Sequence, residues 1–132
     1  PLARLQRGDP VLAAEDDVLT NHIHADDLAR LACAALFRAR GGRVFNVVDD
    51  SRLRMGEYYD LLADRFALPR PPRLPRAQIA AVLSPLTLSF MAESRLIDNT
   101  RMRRELRVAL RHPTVGDGIA AALNKEQAPS CW

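Results

Sequence analysis

Residues 24–50, HADDLARLACAALFRARGGRVFNVVDD, carry the reading on which the fold depends. From Asp26 the apolar positions Leu28, Leu31, Ala32, Ala35 and Leu36 recur at helical spacing, with alanine-rich filler between them. Gly41 and Gly42 follow, residues without a Cβ that permit the left-handed turn closing a helix. RVFNVVDD then offers a short β-branched and aromatic run whose apolar residues do not alternate with polar ones, the pattern of a strand covered on both faces in a parallel sheet. Helix, glycine turn and buried strand make the second half of a βαβ crossover. Upstream, PVLAAEDDVLTNHI (10–23) supplies no convincing partner strand, so Val44–Val48 is expected to pair with strands that precede Pro1. A start at Pro1 without methionine agrees with a piece of a longer protein.

The rest of the chain is read outward from that crossover. Its 132 residues suit one modest core, and 48% hydrophobic with 27% charged residues is the balance of an ordinary globular protein. No apolar run approaches a bilayer span and no export signal opens the chain, which makes a cytoplasmic address, away from membranes, the expectation. Cys33 and Cys131, one in an apolar periodic segment and one in the tail, fit reduced thiols better than a disulfide. The net charge of +3 is almost wholly arginine, Lys125 being the only lysine. With no DNA-binding motif beside it, that bias does not predict a nucleic-acid partner.

Downstream, Met55, Tyr59, Leu62, Ala63 and Phe66 line one side of a second amphipathic helix. It stops at LPRPPRLP, where Pro69, Pro71, Pro72 and Pro75 favour an extended connector. RAQIAAVL and PLTLSFMAES read as helical pieces divided at Ser84 and Pro85, a cap followed by a first-turn proline, although LTLSF also alternates as a strand would. SRLID suggests a short strand, and NTRMRREL a helix capped by Asp98 or Asn99. Thr114 and Asp117 stand at capping-box spacing before an apolar run that reaches Leu123.

Three motifs carry chemistry or mimic it. His22 and His24 precede Asp26 and Asp27; imidazoles two apart would share one side of an extended segment, but zinc requires three or four ligands. The two aspartates stand where a helix begins, and capping its unpaired amide groups accounts for them without a metal. GDGIAA (116–121) matches the dinucleotide fingerprint formally, yet no strand precedes it and only eleven residues follow. Arg101, Arg103, Arg104, Arg107 and Arg111 cluster with Glu105 alone opposing, which raises phosphate contact as an alternative to a solvated helix face. No nucleophile elbow, paired cysteine and histidine, or Walker loop is present.

Taken in order, the blocks NHIHADDLARLACAAL, GGRVFNVVDD, EYYDLLADRFALP and SRLIDNTRMRRELRVALRHPTVGDGIAAAL resemble the C-terminal half of extended short-chain dehydrogenase/reductases, the NAD-dependent epimerase/dehydratase family. Asp27 falls on the Asp of that family's Ile-His-Val-x-Asp-Leu-Ala block. The resemblance implies an α/β parent of Rossmann type, of which residues 1–124 would be the mostly helical substrate-side portion with a few short strands, and 125–132 a flexible tail. It implies NAD or NADP in the parent and none bound by this portion, an oxidoreductase or isomerase acting on a small, sugar-like substrate, and catalysis through a Tyr-x-x-x-Lys pair. That pair is absent: Leu62 and Ala63 stand four residues after Tyr58 and Tyr59, and Ala121 four before Lys125. Thr20 occupies the place of an arginine that many nucleotide-sugar members carry, and Arg54 replaces the usual Ser or Thr before Glu57. Substrate contacts, on this resemblance, would come from Asn21 and His22. A strand without its sheet predicts a homo-oligomer through the exposed edge. The rival expectation is a stand-alone helical module that holds an acidic or phosphate-bearing partner with its arginines.

Overall fold

The computed structural model describes residues 1–127. The elements, in chain order, are α1 (Leu2–Gln6), β1 (Val11–Leu12), β2 (Leu19–Thr20), α2 (Ala25–Arg38), β3 (Leu53–Arg54), α3 (Met55–Arg65), β4 (Arg73–Leu74), α4 (Arg76–Ile79), α5 (Pro85–Phe90), α6 (Thr100–Leu106) and α7 (Val115–Gln127). Mostly helix with a few two-residue strands, as expected, the chain divides into two compact units. One comprises Pro1–Thr20 with Arg52–Leu96, the other Asn21–Ser51 with the chain from Ile97 onward.

In the first unit β1 pairs in parallel with β4, and β2 antiparallel with β3. The proline-rich connector is therefore part of a small sheet. Pro72 has no N–H to donate, but its carbonyl accepts Val11 N at 2.9 Å, so a proline at this edge removes nothing the ladder needs. Leu12, Ile79 and Met91 are fully buried, with Met55, Leu74, Leu83 and Leu88 packed around them. Ser84 caps α5 by accepting Thr87 N, and Pro85 occupies its first turn; these local signals outweigh the strand-like alternation of LTLSF. Glu57 accepts Arg54 N at 2.7 Å, giving α3 half a capping box, because an arginine in the cap position has no acceptor to return.

In the second unit α2 packs on α6 around Leu31, Met102 and Leu106. The run Val44–Val48 corrects the sequence reading: it joins no ladder among the described residues and is not covered on both faces. Phe45 and Val47 pack into this core while Val44 is 74% exposed. A ladder needs a second backbone, and here side chains supply bonds instead: Arg101 donates to Val44 O at 3.0 Å and Asn99 to Val48 O at 3.0 Å. SRLID likewise forms no strand, with Leu96 and Ile97 both exposed. Thr114 and Asp117 make the expected reciprocal cap, Thr114 N donating to Asp117 Oδ2 at 3.0 Å and Asp117 N to Thr114 Oγ1 at 3.2 Å. The expected tail at 125–132 begins inside α7, which continues to Gln127; the remainder lies outside the described residues.

Candidate functional site

The segment Asn21–Asp27 leads into α2 and is held by bonds to three other stretches of the second unit. Asn21 Oδ1 accepts Ile97 N at 2.9 Å, and the His22 carbonyl accepts Asp49 N at 2.7 Å. Burial holds the His22 imidazole below its ordinary pKa, favouring the neutral ring. Both residues assigned to substrate by resemblance thus also anchor the chain locally.

The cap of α2 is neither of the expected aspartates. His24 occupies the cap position, and its Nδ1 accepts Asp26 N at 3.1 Å. Asp26 remains in the first turn, where its charge faces the positive helix end. Asp27 serves another segment: fully buried, it accepts Arg111 N at 2.9 Å and His112 N at 2.8 Å, with Arg30 at 2.9 Å. Burial opposes its ionisation, but the two amides and the guanidinium together outweigh it and hold the carboxyl below the usual carboxylate range. The Asp of the family-like block is therefore a clamp on the loop before α7.

His112, which the sequence did not single out, brings its ring centroid to 3.9 Å from that of His24. His24, Asp26 and His112 offer ligand atoms within 4.8 Å of one another. His24 Nδ1 is already engaged by the Asp26 amide as the cap of α2, so the cluster has a structural duty that needs no metal. The arrangement is a cap backed by a second, tilted imidazole ring. Gly118 completes it, since a Cβ there would approach His24 Cδ2 to 3.3 Å. Gly118, the second glycine of GDGIAA, thus makes room for His24.

Polar groups beyond the sequence reading tie the same unit together. Asn99, expected as a cap, donates to the carbonyls of Val48 and Asp49 and to Asp50 Oδ1, while Asp98 accepts Thr100 N at 3.0 Å. Burial pushes the Asp49 carboxyl up, against the Ser51 amide and hydroxyl that favour its ionised form. Arg103 pairs with Asp50. In the first unit, buried Asp17 accepts Val18 N and Gly56 N and pairs with Arg73, which also reaches Asp60. Thr20, in the arginine's place, donates to Leu53 O within the β2–β3 pair. Burial raises the Tyr58 phenol, and the Tyr59 hydroxyl accepts Arg4 at 3.1 Å.

Over 82% of its length the chain superposes on a nucleoside-diphosphate-sugar epimerase from Pseudomonas aeruginosa, with a TM-score of 0.66, 23% identity and 35% of that chain covered. The epimerase shares this fold. A functionally unknown conserved protein from Silicibacter pomeroyi matches at 29% identity and TM-score 0.77, across 84% of this chain and 39% of its own. The chain thus spans well under half the length of these structures. No family model matches it, and neither does any curated protein. Among the described residues no helix is long and apolar enough to cross a membrane.

Proposed function

We propose that this chain is the substrate-side portion of an NAD(P)-dependent epimerase/dehydratase-like protein, an oxidoreductase or isomerase acting on a small, sugar-like molecule. The observation that carries the reading is the superposition on the epimerase across most of this chain and about a third of that one. Two surface features support it. Leu36 and Phe37 on α2 are 81% and 87% exposed, and among the described residues the run at Val44–Val48 pairs with no strand. An α/β sheet covers such helices and strands in proteins of this class. NAD or NADP would be held by residues outside this chain, where the acid–base pair would also stand. Asn21 and His22 would face the substrate.

The testing experiment begins with the reading frame preceding Pro1. A glycine-rich strand–turn–helix and a Tyr-x-x-x-Lys encoded there support the proposal, whereas a start codon directly before Pro1 favours the stand-alone module. In the longer protein, an Asn21→Ala/His22→Ala variant is expected to lose turnover more than stability. Unchanged turnover removes both residues from the site.

A further inference from the structure

The arginines expected to form one helix face disperse. Arg103 is paired with Asp50 and Arg101 bonds Val44 O, but Arg104 and Arg107 turn to a cleft that also draws Arg38, Arg40 and Arg43 from the end of α2. With Glu105 these residues line a volume of about 760 Å³ within the second unit. Five guanidinium groups against one carboxylate give the lining a formal charge of +4, while the whole chain carries +3; everything outside the cleft therefore nets −1.

Ordinary structural duties account for only two of the five. Arg38 donates to Leu106 O at 2.7 Å and to Arg107 O at 3.2 Å, neutralising the carbonyl end of α6, and Arg43 lies 3.5 Å from Glu105. The side chains of Arg40, Arg104 and Arg107 have no hydrogen bond or ion pair among the described residues. Arg107 moreover sits at φ +51°, in the left-handed region where a helix C-terminus ordinarily places glycine. Unpaired like charges on three neighbouring residues, one of them strained, oppose folding, so stability alone does not explain them.

We propose that this cleft binds a diphosphate group, free or carried on a small molecule. Guanidinium forks match phosphate oxygens in pairs, and three unspent forks suit an anion with more than one phosphate. The volume is that of a small-molecule site. None of the lining residues is aromatic, so no platform for stacked bases accompanies the charge and a nucleic-acid strand is disfavoured. The site stands independently of the family reading above.

Inorganic pyrophosphate, titrated into the full chain at constant ionic strength and followed by calorimetry and thermal melting, provides the test. Saturable binding that raises Tm is expected, weakened at least tenfold in an Arg104→Gln/Arg107→Gln variant and unchanged in Arg70→Gln, whose residue belongs to the first unit and pairs there with Asp64. Arg107→Gly separates recognition from folding: it relieves the left-handed arginine and should raise Tm while weakening pyrophosphate several-fold. Titration with ADP distinguishes the sources, equal affinity pointing to free diphosphate and tighter binding to a nucleotide carrier. Non-saturable binding, or equal affinity in the double variant and the wild type, overturns the site.

Discussion

Asp27 shows how much one buried carboxylate organises. Its oxygens satisfy two part-buried amides of the 109–113 loop, and truncation to alanine removes the acceptor of both. Each orphaned buried amide costs about 1–3 kcal/mol. Asp27→Ala is therefore expected to destabilise by roughly 2–5 kcal/mol in urea unfolding, and Asp27→Asn by less, because one oxygen remains. Equal losses in the two variants would show that charge, not acceptance, is what the loop requires. At His22 the question is protonation. Its folded pKa lies below the unfolded value of about 6.5, so the unfolded chain binds the extra proton first. The stabilising contribution is complete above that value and declines as pH falls below it. Denaturation midpoints measured between pH 7.5 and 5.5 should drop more steeply in the wild type than in His22→Gln; parallel slopes would place the titration elsewhere.

Among the elements, α3 begins at a crowded corner. A Cβ on Gly56 would overlap the Arg73 guanidinium, reaching 1.6 Å from its Nη1, and Arg73 is the partner of Asp17 and Asp60. Gly56→Ala must displace that side chain and leave buried Asp17 with its amide bonds alone. The expected loss is about 1–3 kcal/mol, despite alanine's better helix propensity. A neutral or stabilising result would mean that Arg73 repositions freely. Nothing in the sequence around Gly56 announced this contact, because it joins residues far apart in the chain. The contrast defines what was legible. Periodicity and caps act within a few residues, and they located α2, α3, α5 and α7. Val44–Val48 and SRLID were misread because a strand's existence depends on a distant partner that local composition cannot register. Asp27 lay in the right block, but its role depends on a loop 84 residues away. The arginine cleft was half visible: the run from Arg101 to Arg111 raised phosphate contact, while the contribution of Arg38, Arg40 and Arg43 required the packing of α2 on α6.

For the whole molecule, the exposed apolar groups of the second unit decide how it behaves in solution. Leu36, Phe37 and Val44 expose most of their surfaces, and among the described residues the backbone near Val44 has no ladder partner. Burying three such side chains contributes about 1.5–3 kcal/mol each, hence roughly 5–9 kcal/mol before any strand pairing. Immobilising two molecules costs an estimated 4–15 kcal/mol at the 1 M standard state. These ranges overlap, so association between copies should be weak and governed by concentration. Sedimentation velocity on the 132-residue chain is expected to show monomer at low micromolar concentration and a growing dimer fraction toward hundreds of micromolar. Leu36→Glu with Phe37→Asp should abolish the dimer without loss of folded structure, since neither side chain contributes to the core around Leu31, Met102 and Leu106. In the longer protein proposed above, the same face would already be covered and the double variant should fold poorly. A monomer at every concentration, with the longer protein indifferent to the substitutions, would leave the apolar face without a partner of either kind.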